Sequence, residues 1–194
     1  MVSGVAVMPG AFSQLDAARI SEAIDWQQHT ITIFGRKVTE PRLSAWLGDS
    51  GLSYVYSGVE RKPSAWVKPI VEIRDTVMDL CGAGMNSVLC NLYRNGQDSM
   101  GWHADNEPEL GPQPTIASVS LGGARRFRLR RTDHHAESIG LDLRHGDLLI
   151  MRGQSQRQWQ HCVPKTRRAV APRINLTFRS IICDRKGAPI CPVS

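Results

Sequence analysis

The sequence predicts an α+β fold in which helices come first and a closed or doubled antiparallel sheet follows. An apolar stripe of helical spacing, Trp66, Ile70, Ile73, Val77 and Leu80, lies in the first half of the chain. From Asn86 onward the chain breaks into short alternating runs, at about 86–93, 116–121, 125–131, 139–143, 147–151, 158–163 and 173–182. Gly, Pro, Asp and Asn punctuate those runs, as antiparallel turns require.

Taken in order, Ser13 is placed to cap a first helix through about Gln27. The segment "TITIFGRKV" reads as a β-hairpin with Phe-Gly-Arg at its tip. The striped helix then buttresses one face of the sheet that the later runs build. With 194 residues and 41% hydrophobic content, one domain with a sizeable core is expected over residues 1–194, since no linker or internal repeat stands out.

The five cysteines, Cys81, Cys90, Cys162, Cys183 and Cys191, are odd in number and form no C-x-x-C, which argues against a zinc knuckle or a disulfide framework. Cys162, next to His161 on a strand, should point away from it as a core thiol. A reducing, cytoplasmic setting follows, and no apolar run approaches the ~20 residues of a membrane span. No signal-peptide pattern opens the chain. A net charge of +6 makes an anionic polymer a plausible partner. Arg126, Arg128 and Arg130 share one strand face, and Lys165, Arg167 and Arg168 precede the last strand; a merely solvated basic face is the alternative.

His103 and Asp105 in "WHADNE", with His161 in "WQHCVP", have the shape of a two-histidine, one-carboxylate Fe(II) site. Such a site leaves three positions open for a bidentate organic cosubstrate and O₂. With six His and eighteen acidic residues in the chain, the spacing alone could be accidental. The segment "APRINLTFRS" strengthens it. Arg173, Asn175, Thr177 and Arg179 project one way from a strand, while Ile174, Leu176 and Phe178 project the other. Two guanidiniums there suit a dicarboxylic acid, although a half-solvated edge strand would look similar. Leu89, Asn91 and Tyr93 of "VLCNLY" likewise share one face. His134 and His135 in "TDHHAES" are rival ligands that fall in a loop.

The runs "NLYRNGQDSMGWHADNE", "SVSLG", "HGDLLIM", "WQHCVP" and "APRINLTFRS", in this order, resemble the AlkB-type 2-oxoglutarate and Fe(II)-dependent dioxygenases, and most the DNA alkylation-repair branch. The resemblance covers roughly Ile31 to Ile182 and includes "GLSYVYSG". It implies a double-stranded β-helix, a jelly roll, with N-terminal buttressing helices and a nucleotide-recognition hairpin and lid. Residues about 30–84 would form the lid and buttress helix, and about 85–182 the catalytic core. His103, Asp105 and His161 would be the iron ligands and the catalytic centre. Arg173, helped by Tyr93, would hold the distal carboxylate of 2-oxoglutarate, with Arg179 and Asn91 near the carboxylate that chelates iron. Leu89, Asn175 and Thr177 would complete that pocket.

The implied activity is oxidative demethylation of N-alkylated bases in DNA, such as 1-methyladenine and 3-methylcytosine, with O₂ and 2-oxoglutarate consumed and succinate, CO₂ and formaldehyde released. Alternatives are the same chemistry on RNA or a small molecule, or a non-catalytic nucleic-acid-binding module, which the full set of ligands and arginines disfavours. A monomer acting away from membranes is expected. A methyl on the pairing edge of a base is buried in a duplex, so the nucleotide must be unpaired or flipped out. Phe34 is the candidate wedge, with Arg36 and Lys37 near phosphate; covering its own hairpin is the other role open to it. Tyr54, Tyr56 and Ser57 match the family's lid, and Trp102 or His103 could supply the opposite wall, His103 being favoured because metal binding fixes its ring. Glu107 matches a carboxylate that accepts from a base amino group, although an exposed loop Glu is its plain reading. In "AWLGDSG", Leu47 stands where the family has an aromatic, with Trp46 one position earlier, and Asn106 replaces a frequent second acid. Together with the basic Arg126 and Arg128, these departures could shift the preference among DNA, RNA, single strand and duplex.

Overall fold

The computed structural model of the chain describes residues 2–33, 35–52, 54–56 and 59–182, with backbone alone for 31–33, 54–56 and 59–61. The elements run β1 (Val5–Met8), α1 (Ala17–Glu22), β2 (Thr30–Ile33), β3 (Arg36–Thr39), β4 (Leu43–Gly48), β5 (Tyr54–Tyr56), β6 (Val59–Arg61), α2 (Lys68–Cys81), β7 (Ser87–Tyr93), β8 (Met100–His103) and β9 (Ile116–Gly122). They continue with β10 (Arg125–Arg131), β11 (Ser138–Leu143), β12 (Leu148–Met151), α3 (Ser155–Gln158), β13 (Trp159–Val163) and β14 (Arg173–Arg179).

The strands form a six-stranded sheet, β1-β12-β9-β14-β7-β4, and a four-stranded sheet, β11-β10-β13-β8. Each named pairing is antiparallel. Side chains alternate across β14, a central strand of the large sheet, third from its β4 edge. Ile174, Leu176 and Phe178 enter the core under the helices with Ile70, Ile73 and Val77 of α2. The small sheet covers the other face, where Tyr93, Ile116, Leu149 and Met151 pack with Phe127, Leu129, Leu143 and Trp159. The result is three layers, helices on a large sheet on a small sheet, which is the jelly-roll arrangement that places polar β14 residues between two sheets. Because both faces of β14 are covered, the edge-strand alternative does not hold: six of its seven residues are buried.

The sequence expectations need correction at the helices. Asp16, not Ser13, caps α1, accepting from the backbone N–H of Ala18 at 2.8 Å and of Arg19 at 3.5 Å, and the helix stops at Glu22 rather than near Gln27. In α2 the buried stripe is Ile70, Ile73, Val77 and Cys81; Leu80 is exposed and Trp66 lies before the first turn. The helix closes on Gly82, whose left-handed φ of 60° lets its N–H reach the Met78 carbonyl. Strands β1, β4 and β8 are additions, and the run expected from residue 158 begins as the single turn α3. The expected hairpin forms, with β2 paired to β3 and Ile33 opposite Arg36. Among the described residues no helix is long and apolar enough to cross a membrane. Cys81, Cys90 and Cys162 are free and buried.

Candidate metal and cosubstrate centre

The small sheet brings the two histidines together. His103, the last residue of β8, lies directly opposite His161 of β13, and their rings meet edge to face with centroids 4.2 Å apart. Phe127 of β10 stacks on the far side of the His161 ring at 5.3 Å. Asp105 follows two positions beyond β8, where its N–H donates to Gln156 Oε1 at 2.8 Å and its Oδ1 accepts from Arg179 Nη2 at 2.8 Å. One ligand atom from each of the three residues lies within 4.8 Å of the others. No other cluster of this kind occurs among the described residues; His134 and His135 sit exposed between β10 and β11.

The donor chemistry fits a divalent metal. His103 Nδ1 lies 2.8 Å from the Gly101 carbonyl, which sets the ring so that Nε2 faces inward, 4.0 Å from Asp105 Oδ1. Burial, seconded by the charge of His103, pushes His161 down to about 3, so its imidazole is neutral, the form that ligates. Burial opposes ionisation of Asp105, but Arg179, His161 and His103 outweigh it and hold the carboxyl below its ordinary range. Asp105 Oδ2 and His161 Nδ1 are buried with no hydrogen-bond partner among the described residues. Buried polar atoms are normally satisfied, and a metal would satisfy groups of this kind.

Beside the triad, β14 and its neighbours form a cationic, hydrogen-bonded wall. Arg173 pairs across to Tyr93 on β7 and Gly122 on β9, so three strands hold its backbone. Its guanidinium is 1% exposed and donates to Ser120 Oγ at 2.8 Å, while Nε and Nη1 have no hydrogen-bond partner among the described residues. Burial lowers it to about 10, and the Tyr93 ring lies 5.4 Å from its Cζ. Thr177 donates to Asn175, which donates to Ser118 Oγ at 2.6 Å, and Asn91 Oδ1 accepts from Arg42 Nε at 2.8 Å. A buried cation with no carboxylate beside it is costly, and an anionic ligand offsets that cost. This fits a dicarboxylate.

Two cavities share His103 and Asp105 as a wall, and His161 faces the narrow one. One is narrow and lined by Asn91, Tyr93, Arg173, Asn175 and Thr177; the other is mainly apolar, about 140 Å³, and lined by Trp46, Leu110, Ile181, Glu40, Arg42 and Glu107. Leu89, Met100, His103, Asp105 and Arg179 border both. Glu107 is no exposed loop residue: its Oε2 is buried and has no hydrogen-bond partner among the described residues. Trp102 falls elsewhere. It stands on the outer face of the small sheet with Arg130 Cζ 4.4 Å and Arg128 Cζ 5.7 Å from its ring, and it lines neither cavity. Alternation along β4 sends Trp46 to the cavity and Leu47 to the helix-side core, so the aromatic reaches the site one position before the expected one. Arg36 and Lys37 are exposed on β3. Tyr54 and Tyr56 pair with Arg61 and Val59 in the β5–β6 hairpin, but their side chains, with Phe34 and Ser57, lie outside the described residues. Glu40, Arg42, Ser118, Ser120 and Gln156 also line or brace the site, beyond the residues expected from the sequence. Only the serines left a signal, as alternate positions of "SVSLG".

Residues 4–179 match the model of the 2OG-Fe(II) oxygenase superfamily. The chain belongs to that superfamily. This oxygenase is 39% identical over 201 residues to "Alpha-ketoglutarate-dependent dioxygenase alkB homolog 3" of Homo sapiens, covering 97% of this chain and 70% of that protein. It is 39% identical over 163 residues to "DNA oxidative demethylase ALKBH2" of Homo sapiens, covering 80% of this chain and 62% of the relative. A solved structure described as "The structure of OsALKBH1" shares the fold, with a TM-score of 0.66 at 19% identity, covering 93% of this chain and 99% of that one. The oxygenase is therefore an AlkB-type dioxygenase, an enzyme that works with Fe(II), 2-oxoglutarate and O₂.

Proposed function

We propose that this dioxygenase removes methyl groups oxidatively from N-alkylated bases in DNA, 1-methyladenine and 3-methylcytosine among them. In this reading His103, Asp105 and His161 hold the iron. The observation that carries it is the shared wall: His103 and Asp105 of the triad stand between a cationic cavity suited to 2-oxoglutarate and a mainly apolar cavity, bearing carboxylates, suited to a flat cationic base. The printed names of the human relatives, one of them a DNA oxidative demethylase, support the same substrate class.

When bound, iron with 2-oxoglutarate and O₂ supplies hydroxylation of the N-methyl carbon, with succinate and CO₂ formed and formaldehyde lost from the base. The chain's residues do the positioning. Arg179 and Gln156 fix Asp105 from two sides, and Phe127 fixes His161. Arg173 and Tyr93 receive the distal carboxylate, while Asn91, Asn175 and Thr177 line its approach and Leu89 covers it. Glu107 accepts from a base amino group, and the His103 ring, 28% exposed at its side chain, forms one wall of the base pocket. Phe34 acts as the wedge with Arg36 near phosphate, and Tyr54, Tyr56 and Ser57 as the lid.

DNA is the partner favoured over RNA, the protein acts as a monomer, and its free buried thiols suit a reducing compartment such as the cytoplasm. His103→Ala and Asp105→Ala are expected to abolish both succinate formation and demethylation of a 1-methyladenine oligonucleotide; turnover retained in either variant would remove the ligand assignment.

A further inference from the structure

We propose that Glu40 is a second base-recognition carboxylate which, with Glu107, makes the pocket selective for positively charged alkylated bases; this rests on the demethylase reading above. Glu40 connects β3 to β4 and is 1% exposed, yet its Oε1 has no hydrogen bond among the described residues. Its other contacts are long: Ser44 Oγ at 3.5 Å from Oε2 and Arg42 Nη2 at 3.5 Å from Oε1. Arg42 makes its short bond toward the cosubstrate wall, donating through Nε to Asn91 Oδ1 at 2.8 Å, and meets Glu40 only at the longer distance. A carboxylate taken out of water is ordinarily held by short charge-assisted bonds. Glu40 keeps unused acceptor capacity inside the cavity that borders His103 and Asp105.

The cavity gives that capacity a purpose. Trp46, Leu89, Met100, Leu110 and Ile181 offer apolar surface for the faces of a ring, and Glu40 and Glu107 each bring one buried oxygen with no hydrogen bond among the described residues, that of Glu40 held only by the long ion pair to Arg42. A base methylated on its pairing nitrogen and carrying an exocyclic amino group is cationic. It presents N–H donors and positive charge to these oxygens, and a carboxylate in a site of low polarity attracts such a ring far more than a neutral analogue. A neutral methylated base presents a carbonyl there, which two carboxylates repel.

The test compares 3-methylcytosine with 3-methyluracil, each as a single lesion in the same oligonucleotide, with iron- and 2-oxoglutarate-loaded enzyme. In Glu40→Gln the ratio of kcat/KM for the cationic over the neutral base is expected to fall by about tenfold or more, the loss of one charge-assisted bond. Glu40→Asp, which keeps the charge, retains more of the preference. A general loss of folding lowers both substrates alike and leaves the ratio where it was, so an unchanged ratio, or a ratio lowered equally by Asp and Gln, overturns the assignment of Glu40. Wild-type enzyme that demethylates neither base overturns the demethylase reading itself, a failure seen before any variant is made.

Discussion

Arg173 carries a charge that the described part of the chain does not balance. It is 1% exposed, burial pulls it down to about 10, and hydroxyl groups rather than a carboxylate surround it. Replacing an uncompensated buried ion with an apolar side chain of similar size is often neutral or stabilising. Arg173→Met is therefore expected to leave the thermal midpoint of the ligand-free protein unchanged or higher. The 2-oxoglutarate concentration needed for half-maximal succinate formation should rise at least about thirtyfold, as loss of a buried charge partner does. A large fall in the midpoint with unchanged cosubstrate dependence would contradict this role. His161 gives a pH prediction. Unfolded, it takes a proton near 6.5; folded, burial first and then His103 delay that to about 3. Between these values the unfolded state binds more protons, so the metal-free protein loses stability as pH falls from 6.5 toward 3, and the contribution is intact above 6.5. Urea midpoints of metal-free protein at about pH 7 and about pH 5 should differ less in His161→Gln than in wild type. The residues legible in the sequence were those whose chemistry is rare at their spacing, the triad and the two arginines. Glu40, Arg42 and Gln156 were not, because an isolated polar residue in a short loop or strand end reads as solvated until the fold closes over it.

Elements follow the same division. Strands β9, β10 and β14 were legible from their alternation, because one face of each must differ in polarity from the other. Strands β1 and β8 were not: "VAVM" and "MGWH" show no alternation of polarity. Strand β4 buries both faces, with only Leu43 and Trp46 partly open, so its pattern does not alternate in polarity. The start of α1 was misplaced because Ser13 and Asp16 are both competent caps and only Asp16 has N–H groups in reach. The β9–β10 turn shows how an element aims the site. Gly122 has a φ of 83° and sits opposite Arg173, and a Cβ there would lie 2.5 Å from the Pro172 carbonyl oxygen. Gly122→Ala is expected to destabilise the protein by more than about 1 kcal/mol, read from urea unfolding, and to weaken 2-oxoglutarate use by displacing the start of β14. A variant as stable as wild type would mean that the turn relaxes freely.

Across the whole molecule, the layered fold separates two jobs. On the helix side, apolar side chains of the helices pack on the large sheet, while the space between the sheets mixes apolar packing with a polar centre that needs ligands to be satisfied. The net charge of +6 adds a general attraction for nucleic acid, and Arg128 and Arg130 flank Trp102 on a face that lines neither cavity. The jelly roll itself was not legible from periodicity, which fits any two-layered antiparallel sandwich; order and spacing of the motifs supplied it. The most direct test is a single turnover. Enzyme loaded anaerobically with Fe(II) and 2-oxoglutarate is mixed with air and an oligonucleotide carrying one 1-methyladenine, and base mass and succinate are read together. The prediction is loss of one methylene unit from the base with a matching amount of succinate. Succinate formed while the base stays methylated would contradict the substrate, and no succinate with iron bound would contradict the oxygenase centre.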